Sequence, residues 1–198
     1  INNFELTVQE LSNDKYLKLY KINSSLIGSE IDTLENSLKF THENDNLFLG
    51  FETSAYETLK NNYNDKYEYI LPDVTLDKNL LSNDKYGNFD LKTNLKVHNY
   101  DTNKLTKFLV NDIDWKFKDI NFSSGFNGKL KAKLKNINYE TKNVSSFKTD
   151  QTSELFGAVG YLFDLDLQKK TNNLANHFLT PKLFLRYSPD HMRKTENG

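Results

Sequence analysis

The stretch Ser153 to Lys170, SELFGAVGYLFDLDLQKK, alternates for longer than any other part of the chain. One parity carries Leu155, Gly157, Val159, Tyr161, Phe163, Leu165 and Leu167. The other carries Glu154, Phe156, Ala158, Gly160, Leu162, Asp164, Asp166 and Gln168. Successive side chains of a strand point to opposite sides, so this spacing dictates one apolar side and one small or polar side. The run from Leu155 to Leu167 outlasts the roughly five or six residues of an ordinary soluble strand.

The same period recurs elsewhere. In GNFDLKTNLKVHNY, Phe89, Leu91, Leu95 and Val97 share a side with Thr93, opposite Asp90, Lys92, Asn94, Lys96 and His98. In GKLKAKLK, Leu130, Ala132 and Leu134 oppose Lys129, Lys131, Lys133 and Lys135. Further strands are expected over 3–9, 33–42, 46–56, 66–78, 104–117 and 178–187, roughly nine in all by this pattern. Asn, Asp, Ser and Gly clusters separate them, which is turn chemistry. SNDKYLKLYKINSS fits a short helical turn behind an Asn or Asp cap. Connections this short join antiparallel neighbours, because parallel strands need long crossovers. The expected fold is all-β, an antiparallel meander of long strands.

Two architectures suit such a meander. Mean hydropathy is -0.71, yet the chain holds 14 Phe and 11 Tyr. Long alternating strands with many aromatics fit an incomplete piece of a transmembrane β-barrel, whose strands need about 9–11 residues. A soluble β-sandwich or solenoid also alternates, and would make this a secreted or periplasmic adhesin or carbohydrate-binding module. No segment approaches the ~18 apolar residues of a spanning helix. The chain starts at Ile1 and ends in KTENG, and reads as part of a longer protein.

Little in the sequence points to catalysis. There are no cysteines, so disulfides and thiolate metal sites are excluded. His42, His98, His177 and His191 show no metal-ligand spacing. Asp164 and Asp166 sit two apart without a partner carboxylate, and no nucleophile elbow or phosphate loop occurs. With 26 basic and 27 acidic residues, charge gives no case for a nucleic-acid partner. No cofactor is expected. Lys129, Lys131, Lys133 and Lys135 project together, either to grip phosphates or to meet carboxylates of adjoining strands.

Ordered motifs then point to a family. LTPKLFLRYSPDHMRK resembles a segment of the LptD (OstA) barrel, most closely its alphaproteobacterial branch. NDKYLKLYKINSS, KYEYILPDVTLDKNL, NYDTNKLTKFLVNDIDW, LKNINYE and ELFGAVGYLFDLDL resemble further parts of that barrel in the same order. Asp190 departs from the glycine expected after Ser-Pro, and the interdomain cysteines of some relatives are missing.

The resemblance implies a Gram-negative outer-membrane protein, not an enzyme, that inserts lipopolysaccharide into the outer leaflet. It implies an LptE-type plug lipoprotein, a periplasmic lipopolysaccharide bridge protein reached through an N-terminal jellyroll, and contact with outer-membrane lipids. The jellyroll and the closing strands would lie outside these residues, which would form early-to-middle strands. Lipid would meet Leu155, Val159, Tyr161, Phe163 and Leu165. The lumen would be lined by Asp90, Lys92, Lys96, Lys129, Lys131, Lys133, Lys135, Asp164, Asp166, Lys182 and Arg186. In LTPKLFLRYSPDHMRK, Pro181 should sit at a strand start or bulge, and residues 190–194 should begin a polar loop.

Overall fold

Alternation becomes one long antiparallel meander. The computed structural model describes residues 1–23, 28, 30–60, 65–101, 103–170 and 176–189; the expected loop at 190–194, with His191, lies outside them. The strands are β1 (Asn2–Thr7), β2 (Thr33–Asn44), β3 (Leu47–Thr58), β4 (Tyr67–Asn83), β5 (Gly87–Tyr100), β6 (Lys104–Lys116), β7 (Ile120–Asn121), β8 (Phe126–Lys142), β9 (Thr152–Leu165), β10 (Leu167–Lys170), β11 (Asn176–Leu179) and β12 (Lys182–Tyr187). They form a ten-stranded sheet in the order β1-β2-β3-β4-β5-β6-β8-β9-β12, with β7 beside β8, and a separate β10-β11 hairpin. The sheet is not closed: β1 and β12 stand at its two edges.

Tight turns set the register. Asn44 Oδ1 accepts from the Asn46 amide at 3.0 Å, and Asn83 Oδ1 from the Lys85 amide at 2.6 Å. These Asx turns explain why Asn and Asp crowd the strand ends. Gly87 has φ +79, and a side chain there would run into the Lys116 carbonyl, so only glycine suits this turn. Pro72 lies where the pairing of β4 skips between Ile70 and Asp73. A residue without an N–H fits such a bulge.

Several boundaries differ from the expected ones. The run Ser153–Lys170 is two strands, because the chain leaves the sheet at Asp166 and β10 pairs with β11. Residues 178–187 are likewise split: Leu179 ends β11, and Pro181 sits just before β12, with its carbonyl accepting from the Leu165 amide at 3.2 Å. The helical turn is α1 (Tyr16–Tyr20), but Lys15 occupies its N-cap and makes no side-chain cap bond. Asn13, two residues before that cap, instead accepts from the Lys15 amide at 2.8 Å.

Apolar burial is scarce. The buried hydrophobics among the described residues are Leu17, Leu34, Leu59, Tyr139 and Val144. Leu17, Leu34 and Leu59, flanked by Leu11 and Ile22, pack α1 onto one end of the sheet. Lys18 pairs with Asp32 at 2.6 Å, and Lys66 with Glu57 at 2.7 Å and Asp14 at 3.3 Å, around this small core. The end carrying α1 is called the helix end, and the end carrying the β10-β11 hairpin the hairpin end.

Candidate functional site: the two faces of the sheet

Residues opposite one another in an antiparallel pair share a side. The register therefore sorts every strand residue onto one of two faces. The first holds Phe4 and Leu6, Leu38 and Phe40, Leu49 and Phe51, Val74 and Leu76, Leu91 and Leu95, Leu109 and Ile113, Leu130 and Leu134, Val159 and Phe163, and Leu183 and Leu185. Among the described residues no second layer packs on this belt, and Phe4 remains 65% and Leu185 55% exposed.

The belt does not run straight across the strands. Phe40 aligns through Phe51, Val74, Leu95 and Leu109 with Asn138 and then Ser153, both polar. On β9 the apolar residues lie instead at Val159, Tyr161 and Phe163, toward the hairpin end. From β2 to β12 the belt slides by about nine residues over about seven strand-to-strand steps. At ~3.3 Å per residue and ~4.8 Å per strand this is a slope of roughly 40°. Strands of membrane barrels tilt by about 35–45°. With the belt horizontal, these strands carry that tilt, and their 12 to 17 residues from β2 to β9, the short β7 aside, exceed the spanning minimum.

Aromatic side chains mark both borders. Tyr67 and Tyr69 stack at 6.3 Å near the helix end. Toward the hairpin end Phe89 stacks on Trp115 at 5.4 Å, and the indole donates to the Tyr86 carbonyl at 2.8 Å. Lys66 lies over the Tyr67 ring and Lys85 over the Tyr86 ring. Such amphipathic rings belong where hydrocarbon meets headgroups.

The opposite face is charged, and most charges are paired across strands. Lys133 meets Asp114 at 3.2 Å, Lys135 meets Asp112 at 3.1 Å, and Lys96 meets Asp73 at 3.1 Å. Lys129 reaches Asp119 and Asp164 at 3.7 and 3.8 Å. Lys39 meets Glu52 at 3.6 Å and Glu35 at 3.3 Å. His98 contacts Glu68 at 2.6 Å and stacks on Tyr100. Lys92 and Lys182 share the face by register. So do Lys131 and Arg186, on either side of Gly160.

Of the residues expected to act together, Leu155, Val159, Tyr161, Phe163 and Leu165 do share the apolar parity of β9. Asp166 is a correction. It stands outside β9, accepts from Thr180 Oγ1 at 2.8 Å, and fixes the base of the β10-β11 hairpin instead of joining Asp164 on a strand face. The acids Asp73, Asp112 and Asp114 escaped notice in the sequence, since only the register reveals which lysine each opposes.

Three glycines let aromatic rings lie flat on the sheet. A Cβ on Gly128 would run into the Tyr161 hydroxyl, and one on Gly160 would lie 2.7 Å from Phe184 Cζ. Phe48 crosses Gly50 in the same manner, at 3.3 Å. The loop after β8 folds over the charged face at the helix end. There Phe147 packs edge-on against Phe108 at 5.3 Å and Tyr139 at 5.9 Å, and the Thr141 hydroxyl donates to the Lys148 carbonyl at 2.9 Å.

An uncovered apolar belt on one face, charges on the reverse, aromatic borders and a steep slope define the transmembrane β-barrel class. A profile of the family LptD, LPS transport system D, matches residues 3–197, and the chain belongs to this family. That family is a β-barrel of the Gram-negative outer membrane, acting in lipopolysaccharide transport and assembly. A search of characterised proteins finds no match.

Proposed function

We propose that these strands form part of the wall of a translocon that delivers lipopolysaccharide to the outer leaflet of the outer membrane. The belt from Phe4 to Leu185 contacts lipid, and the face bearing Lys92, Lys96, Lys129 and Asp164 lines an aqueous lumen. An LptE-type plug lipoprotein shares that lumen with the saccharide part of the cargo. A periplasmic bridge protein supplies the cargo, and no chemical step on it is required. The observation that carries this reading is the uncovered, diagonal apolar belt backed by cross-strand ion pairs. In water such a face would demand a second layer; in a bilayer it needs none.

The test is accessibility in the full-length chain in cells. Single cysteines at Leu95 and Val159 should resist a water-soluble maleimide, while cysteines at Asn94 and Ala158 should react once the outer membrane is permeabilised. Equal labelling of the two parities would reject the lipid-facing assignment. In the same cells, depletion of the protein should lower lipopolysaccharide at the surface.

A further inference from the structure

Resting on the reading of the charged face as lumenal, we infer that a groove over Ala158 and Gly160 binds a phosphorylated saccharide. It has a volume of about 290 Å³ and is lined by Lys116, Lys131, Lys133, Arg186, Asp114 and Phe184, among others. That places it at the small end of the range for small-molecule sites.

Charge separates this groove from the rest of its face. Elsewhere Lys39, Lys96, Lys129 and Lys135 each lie within 4.0 Å of a carboxylate, and Lys92 and Lys182, which have none that close among the described residues, stand in register opposite Asp77 and Asp112, and opposite Asp164. Within the groove four cations surround one acid, and Asp114 is already held by Lys133 at 3.2 Å. Lys116 has Asp90 only at 4.0 Å. Among the described residues Lys131 and Arg186 have no carboxylate within the ion-pair distance of 4.0 Å.

The register aligns these charges. Lys116 pairs with Lys131, Lys131 with Gly160, and Gly160 with Arg186, so three cations occupy one row across four strands. Gly160 puts no side chain between Lys131 and Arg186, and the Phe184 ring lies flat in that place. A guanidinium fork beside ammonium groups suits the oxygens of a phosphate monoester. The adjacent ring offers a flat apolar surface for the C–H face of a sugar. One ring beside one cation row fits a single sugar phosphate better than a polymer of phosphates, which would call for repeated stacking positions.

The experiment uses the full-length barrel folded in detergent, its folding checked by heat-modifiable gel mobility and insertion into vesicles. Calorimetric titrations compare a phosphorylated glucosamine disaccharide, the same disaccharide without phosphate, and glycerol phosphate. The phosphorylated disaccharide should bind best. Its affinity should fall about tenfold or more in Lys131→Gln/Arg186→Gln, as expected when charged hydrogen-bond donors are lost. Phe184→Leu should weaken the disaccharide but not glycerol phosphate. Lys39→Gln/Glu52→Gln, far along the same face, should bind as the parent does. Equal binding of the unphosphorylated sugar, equal binding of glycerol phosphate, or equal losses in the two double variants would overturn the site. A folded, inserted barrel that binds nothing sinks the site alone; a chain that will not insert sinks the lumenal reading with it.

Discussion

Replacing Leu95 with arginine is the sharpest test of the two-face assignment. Leu95 stands in the row Phe51–Val74–Leu95–Leu109, near the middle of the belt on β5. Its neighbour Asn94 points to the charged face and donates to Thr75 Oγ1 at 2.9 Å. An arginine on the lipid side near the bilayer midplane costs about 2–4 kcal/mol. At Asn94 the loss is one hydrogen bond, about 1 kcal/mol, with the new charge left in water. The outward substitution should therefore shift the folding equilibrium by about 5- to 150-fold more than the inward one. Leu105→Arg, on the same parity but beside the helix end, should cost only ~0–1 kcal/mol. Guanidinium unfolding of the full-length chain in phospholipid vesicles reads all three. Equal costs at Leu95 and Asn94, or an unchanged Leu95 penalty with the protein in water, would refute the argument.

Trp115 is the single tryptophan, and it borders the belt. Its emission should be quenched more by lipids brominated near the headgroup than at the chain end, and the reverse order would misplace that border. Gly128→Val should destabilise by about 1–3 kcal/mol through collision with Tyr161, with much of the loss recovered in Gly128→Val/Tyr161→Ala; additivity in a double-mutant cycle would reject that contact. Phe147→Ala should free the loop after β8, read as protease cleavage between residues 143 and 151 that the parent resists. Around α1, hydrogen bonds donated by Lys66 to Glu57 and Asp14 raise the Lys66 pKa to about 12, so its stabilisation is full below 10.5 and is lost as pH rises through about 12. Lys18 lowers the Asp32 pKa from 3.8, so that contribution is present above 3.8 and is lost as pH falls through the lowered value. Methyl NMR shifts of Leu17 and Leu34 should move in both windows and hold still between them.

Period two made most of this fold legible, because one wet and one dry side leave a strand no other spacing. β5 was readable end to end for that reason. β8 was not. Its lysines at 129–135 share a face with Ile137 and Tyr139, while Leu130, Ala132 and Leu134 share theirs with Asn136, Asn138 and Glu140. Polarity thus exchanges sides within one unbroken strand, so the sequence reads as if alternation stopped at Lys135 when only the environment has changed. Tyr139 lies under Phe147, and Asn136 has left the belt and donates to Ser153 Oγ at 3.4 Å. The split at Asp166 was hidden for another reason: parity continues through Leu167, and only pairing partners reveal that β10 has turned away. The lysine ladder was visible, but its division into Lys129, Lys133 and Lys135, which meet acids, and Lys131, which does not, depends on strands far away in sequence.

The slope of the belt bears on how this sheet avoids misassembly. A strand that slips by one residue turns every side chain inside out, and alternation alone forbids it. A slip by two keeps every side chain on its proper face and would pass that check. On a tilted sheet, however, two residues move a strand about 6.6 Å along its axis and about 5 Å in depth. With the belt in lipid, as proposed, Phe4 would then leave hydrocarbon on one side, or Lys107 and Glu140, paired at 3.2 Å above the belt, would be drawn into it. Bilayer thickness thus acts as a second ruler on register, and it rejects the even-numbered errors that strand chemistry by itself would accept.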